Sequence, residues 1–140
     1  MKVVLDTGVL VAALRSPSGA SRKLLVAAMD GTVEMIITVP LLLEYEAVMK
    51  RPEHLEAAGA SAADIDVILD QIAASARCVE VHYLWRPLLP DMGDDLVLEA
   101  AVNGGAEIVA TFNLKDFRPA IGRFSVEFVV PAELWAKVRI

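Results

Sequence analysis

Cysteine is nearly absent. Cys78 stands alone in 140 residues, which excludes an internal disulfide and fits a reducing compartment. Histidine is almost as scarce, and His54 and His82 are not spaced like ligands, so a zinc site is not expected. No stretch approaches the roughly eighteen uninterrupted apolar residues of a membrane span. The apolar run 3–14 is broken by Asp6 and Gly8 and lacks a cleavage-type end, so no secretory signal is read either. A soluble, cytoplasmic protein is the expectation, with no membrane partner. Basic residues are in deficit: 13 Lys and Arg against 19 Asp and Glu leave a net charge of −6. That balance, with a pI near 4.8, excludes a protein that grips nucleic acid by bulk electrostatics. Any contact with RNA or DNA must rest on a local site, with metal ions supplying positive charge. A Walker loop, a G-x-G-x-x-G fingerprint and an arguable Ser-His-Asp set are also missing.

What the chain has in quantity is apolar surface. The apolar share is 56% and the mean hydropathy +0.51, high for a small monomer, so part of that surface is expected in a subunit or partner interface. Trp85 and Trp135 fit such an interface or ordinary packing. The length suits one domain over residues 1–140.

Periodicity predicts an alternation of strands and helices. Residues 2–5 and 34–39 read as buried strands, 78–81, 107–111 and 126–130 as three more. Between them, helices are expected over 9–14, 20–30, 41–50, 53–60 (weakly), 62–76, 96–103 and 131–138, with Pro40 in a first turn and Gly104-Gly105 as a stop. Residues 112–124 read as a loop with at most one helical turn. The pattern points to a parallel α/β sheet covered by helices on both faces.

Asp6 ends the first strand, in Lys2-Val3-Val4-Leu5-Asp6-Thr7-Gly8, at the edge where open α/β sheets place ligands. Alone it could equally cap the next helix or open a turn. Further acids shift the reading. Glu44 falls one turn into the helix after strand two, among Leu41, Ala47 and Val48, where a buried carboxylate is costly without a partner. Glu46, by contrast, pairs naturally with Lys50 at i+4. Asp91, Asp94 and Asp95 cluster at the start of the 96–103 helix, with Asp94 well placed as its N-cap. One cap does not explain adjacent acids facing a buried helix, and like charges this close repel unless a cation lies among them. Thr111, Asn113 and Asp116 follow the fourth strand. Oxygen donors alone suit Mg²⁺ or Mn²⁺, and such a cluster serves phosphodiester or phosphoryl transfer by activating water.

In these pieces the chain resembles the PIN-domain ribonucleases, and within them the VapC-like toxins of toxin–antitoxin pairs. The pieces are Val4-Leu5-Asp6-Thr7-Gly8-Val9-Leu10, Leu41-Leu42-Leu43-Glu44-Tyr45, Asp91-x-x-Asp94-Asp95-x-x-Leu98-Glu99-x-Ala101, and the run from Ile108 to Phe117. They span almost the whole chain. The resemblance implies a three-layer α/β/α sandwich whose five-stranded parallel sheet has strand one at its centre. It implies metal-dependent cleavage of RNA, with Asp6, Glu44, Asp94 and Asp116 as catalytic and metal-holding acids. Asp95 and Asn113 would be auxiliaries and Thr111 a bordering hydroxyl. The doubled Asp94-Asp95 leaves the third acid open by one residue. An antitoxin partner and a homodimer or higher homo-oligomer are also implied.

Other readings weigh less. An aspartic protease is all-β. A phosphatase with paired aspartates after strand one would want an acid at Gly8. A receiver-like Mg²⁺-binding module needs further acids closing strands one and three, and strand three ends in Val81-His82. An inactive PIN-like scaffold acting through partner binding is the remaining alternative. RNA contact would fall to local cations such as Arg15, Arg22, Lys23, Lys115 and Arg118, and weak, salt-sensitive affinity is expected.

Overall fold

A computed structural model describes residues 1–84 and 88–139, so Trp85 lies outside the described residues. Five strands form one parallel sheet in the order β3-β2-β1-β4-β5. They are β1 (Lys2–Leu5), β2 (Glu34–Ile37), β3 (Arg77–Cys78), β4 (Ile108–Ala110) and β5 (Glu127–Val129). Among the described residues, seven α-helices accompany them: α1 (Thr7–Arg15), α2 (Ala20–Met29), α3 (Val39–Met49), α4 (Pro52–Ala58), α5 (Ala62–Ser75), α6 (Met92–Gly104) and α7 (Pro131–Val138). The result is the expected three-layer α/β/α sandwich with β1 in the middle.

Strand β1 shows why. Val3, Val4 and Leu5 alternate in facing, yet all three are fully buried, so both faces of the central strand are covered. Val3 lies opposite Met35 of β2 and Ile108 of β4. Right-handed crossovers then fix the layers. The chain steps one way from β1 to β2 to β3 through α1–α5, then returns past β1 to β4 through α6. Helix α6 accordingly packs across β1, β2 and β4, while α1 and α2 pack on one another and α7 against α2. The reversal of direction makes a switch point between β1 and β4, the place where such sheets open a ligand crevice at their carboxyl edge. The receiver-like order, in which β3 lies beside β1, does not occur.

Several boundaries differ from expectation. Strand β3 keeps two exposed residues instead of four. Val79 N–H still reaches Ile37 O, but the N–H groups of His82 and Tyr83 donate to Asn103 Oδ1, so a side chain replaces the ladder. The weak 53–60 pattern is a full helix, begun by Pro52 and ended at Gly59 with φ +64°. Residues Leu114–Ala120 form a 3-10 helix where a loop was expected. Helix α6 begins at Met92, capped by Asp91 and not by Asp94. Trp135 packs half-buried against the core. Among the described residues, no helix is long and apolar enough to cross a membrane.

Candidate active site

Asp6 leaves β1 in extended geometry, and its N–H donates to Ala110 O at 2.9 Å, carrying the β1–β4 ladder one residue past the strand. It occupies the N-cap position of α1, yet its side chain makes no capping bond. The carboxylate instead accepts from the Thr111 hydroxyl, Oγ1 to Oδ2 at 2.6 Å, and is only 4% exposed. Thr111 Oγ1 in turn accepts from the N–H of Asn113 at 3.0 Å. Burial pushes the Asp6 carboxyl above its ordinary range, Thr111's donation opposes that, and nearby Asp91 and Asp116 add to the rise.

Glu44 reaches the same place from α3. The buried stripe of that helix is Leu41, Tyr45 and Met49, spaced i, i+4, i+8. Glu44 sits half-buried beside this stripe, not on it, and Ala47, expected as a buried neighbour, is exposed. The fully buried Tyr45 donates its hydroxyl to Leu5 O, tying α3 to the end of β1 one residue before Asp6. Across the gap, α6 closes in through Gly93. A Cβ there would lie 3.0 Å from Glu44 Oε1 and 3.2 Å from Asp91 Oδ1, so glycine makes the approach possible.

The three aspartates of the α6 turn have separate fates. Asp91 Oδ1 accepts from the N–H of Gly93 at 2.7 Å, which is N-capping. Asp94 faces the cavity and is 7% exposed. Its pKa is pushed up to about 7, by burial first and then by the negative charges of Asp6, Asp91, Asp116 and Asp95. Asp95, 2% exposed, does not line the cavity and accepts from Leu89 N–H at 3.0 Å, holding the preceding loop. Of the adjacent pair it is Asp94 that joins Asp6 and Glu44.

These elements enclose a polar cavity of about 180 Å³ at the sheet's carboxyl edge. Asp6, Glu44, Asp91 and Asp94 line it together with Thr7, Gly8, Gly93, Asn113, Val48 and Arg51. Asp116, half-buried on the 3-10 helix, is outside that lining, although its charge raises both Asp6 and Asp94. Thr111 is fully buried behind Asp6.

The donor set is oxygen only, crowded, and of one sign, which is chemistry for a hard divalent cation. The buried Thr7 hydroxyl, without a hydrogen-bond partner among the described residues, is a further oxygen on the same wall. No three His, Cys, Asp or Glu side chains among the described residues are drawn together as a formed metal group. Carboxylates that repel one another have no reason to close up unaided. The donors fit Mg²⁺ or Mn²⁺.

Sequence reasoning grouped Asp91 with Asp94 and Asp95 but gave it no role at the site, and it passed over Arg51. Arg51 carried no periodic signal, because the helix of Glu44 ends before it and Pro52 holds it in extended geometry. Of the cations proposed from sequence, none lines the cavity. Arg22 is committed elsewhere, its Nε donating to Ala13 O at 2.6 Å and its guanidinium to Leu14 O at 3.3 Å.

Fold and cavity together define an α/β protein with an acid-lined crevice at the switch point of a parallel sheet. The chain belongs to the PIN-domain family, whose profile matches residues 2–115. Among solved structures, it is similar to a chain in the crystal structure of VapBC2 from Rickettsia felis bound to a DNA fragment from their promoter. The TM-score is 0.59 at 17% identity, over 91% of this chain and 98% of that one. Comparison with curated protein sequences gave no match.

Proposed function

We propose that this PIN-domain protein is a divalent-metal-dependent endoribonuclease, the VapC-like toxin of a toxin–antitoxin pair. Asp6, Glu44 and Asp94 would hold Mg²⁺ or Mn²⁺, with Asp116 adding a fourth carboxylate from the 3-10 helix. The observation that supports this most is that acids from β1, α3 and α6 line one cavity, in a chain of this family. What a divalent cation supplies when bound there is activated water for in-line attack on a phosphodiester and neutralisation at the leaving oxygen.

The chain's own residues do the rest. Thr111 holds Asp6 in a fixed orientation through its 2.6 Å bond, and Tyr45 anchors the strand end behind it. The pKa of Asp94, pushed up to about 7 by burial and by its acidic neighbours, is what a cation held among these carboxylates would bring down, favouring the ionised form as a ligand. Asn113, exposed at the mouth, offers an amide to substrate. Asp95 serves by holding the loop at Leu89.

An antitoxin partner is part of the proposal, supported by the VapBC2 likeness in fold and by exposed Val26, Val39, Leu43 and Val67. Self-association would draw on the same apolar excess. The setting proposed is the cytoplasm.

The test is cleavage of a panel of structured RNAs, including tRNAs, with Mg²⁺ or Mn²⁺ and with chelator. Wild type is expected to cut only with metal. Asp6→Asn is expected to lose activity by at least about a hundredfold while unfolding at a similar temperature, since direct ligands matter more than outer-shell groups. Equal cleavage by both proteins would overturn the site. A wild type that cuts nothing would favour a binding role.

A further inference from the structure

Among the described residues, Arg51 is the one basic residue on the cavity wall, with at least four carboxylates around it: Asp6, Glu44, Asp91 and Asp94. An arginine so placed ordinarily forms a bidentate pair with an acid. The ion pairs of the described residues involve Lys50, Arg77, His82 and Lys137, and Arg51 takes part in none. Its guanidinium makes no hydrogen bond to another described residue either, so its donors are unspent among the described residues, and the residue is exposed where it lines the cavity.

Its backbone, by contrast, is firmly set. Pro52 follows, and a residue before proline is pushed to extended geometry. Arg51 obeys, with φ −61° and ψ 136°, as the N-cap of α4. Its N–H donates to Val48 O at 3.1 Å, closing α3, and its carbonyl accepts from His54 and Leu55, opening α4. Helices α3 and α4 both pack on α1, the helix that starts at the cavity. Thus the joint of two helices holds the backbone of Arg51 at a fixed point of the rim, and the side chain it carries there is free among the described residues.

The proposed reaction requires a site of two signs, because a phosphodiester must come close to a cage of carboxylates on a chain whose net charge is −6. We propose that Arg51 is the substrate-binding residue of this cavity, receiving the phosphate of the RNA backbone at or next to the scissile bond while the acids serve the cation. The guanidinium fork matches two phosphate oxygens, which a point charge would not. This rests on the nuclease reading above and adds to it which residue receives the substrate.

The test uses the full chain as wild type, Arg51→Gln and Arg51→Lys, with an RNA of the panel that wild type cleaves. Binding is measured for the same RNA, fluorescein-labelled, with Asp6→Asn, Asp6→Asn/Arg51→Gln and Asp6→Asn/Arg51→Lys across a KCl series. Arg51→Gln is expected to raise KM about tenfold or more, the usual effect of losing charge-assisted hydrogen bonds. In the Asp6→Asn background it should lower the slope of log affinity against log salt by about one. Arg51→Lys should restore the salt slope but only part of KM. Affinity for Mn²⁺ alone, by calorimetry, should hold or tighten in Arg51→Gln, since a neighbouring cation has been removed. An unchanged KM, an unchanged salt slope, or weaker Mn²⁺ binding would each overturn the assignment, the last by showing that Arg51 shapes the acid cage. If wild type cleaves and Arg51→Gln matches it, Arg51 alone is wrong. If wild type cleaves no RNA, the nuclease reading falls and this inference with it.

Discussion

A single hydroxyl holds the centre of the cavity together. Thr111 Oγ1 donates to Asp6 at 2.6 Å and accepts from Asn113 N–H at 3.0 Å, so it ties two residues of the cavity wall to each other. Thr111→Val keeps the shape and deletes both bonds. On the proposed function, metal affinity and cleavage rate should fall by about 10–100-fold, the usual cost of losing a hydrogen bond behind a metal ligand. Stability should drop by about 1–3 kcal/mol, because a buried carboxylate oxygen loses its donor. Thr111→Ser, which keeps the hydroxyl, should stay within a few-fold of wild type. Mn²⁺ titration and urea unfolding of both variants check this, and a Val variant as active as the Ser variant would refute it. Asp94 and Asp95 make a related point. They are adjacent and both buried, but successive helix positions point about 100° apart, so one faces the cavity and the other the Leu89 loop.

Among the elements, α6 does most to close the cavity, and glycine governs both of its ends. At the start, Gly93 admits Glu44 and Asp91 to close range. At the end, a Cβ on Gly104 would stand 2.3 Å from Ile36 Cγ2 on β2, a fully buried side chain. Gly105, with φ +65°, supplies the helix stop. Gly104→Ala should therefore destabilise the protein, although alanine gains roughly 1 kcal/mol in helix propensity. Overpacking of this kind costs about 1–3 kcal/mol, and a contact of 2.3 Å lies at its severe end. The expected outcome is a lower denaturant midpoint with an unchanged slope. A variant more stable than wild type would show that α6 can move off the sheet without cost.

For the whole molecule, the acid cavity should couple stability to pH and, on the proposed function, to metal. A buried carboxyl with a raised pKa keeps its proton in the folded state after the unfolded chain has released it. Stability therefore falls as pH rises through that window, which for Asp94 runs from 3.8 to about 7. Asp6 acts in the same direction. Asp30, lowered by its bonds to Thr32, acts oppositely but only below its ordinary value of 3.8. Lys50 and Lys137, raised from 10.5, lie outside the window. In chelator, the melting temperature should decline from pH 5 to 7.5, and Asp94→Asn should flatten the decline. Mn²⁺ at a hundred times its Kd should return about 2.7 kcal/mol at pH 7.5, several degrees for a domain of this size. Thermal scans at four pH values, with and without metal, test it. A wild-type profile as flat as that of Asp94→Asn would remove Asp94 from the buried acid group.

The sequence by itself determined the alternation of strands and helices, the double-sided burial of β1 and the oxygen-only chemistry of the acids. These follow from local periodicity, turn residues and side-chain type, which neighbours in the chain are enough to set. It also carried the family, through four short runs in order. Tertiary structure decided the strand order, and with it the switch point that brings Thr111 against Asp6 across 105 residues. It decided that Asp91 caps α6, that Asp94 and not Asp95 faces the cavity, and that Arg51 stands uncommitted on the rim. Which of Asp94 and Asp95 faces the cavity depends on how far α6 is rotated when it packs on the sheet. That angle is set by contacts such as Gly93 with Glu44 and Gly104 with Ile36, between residues remote in sequence, so no local pattern encodes it.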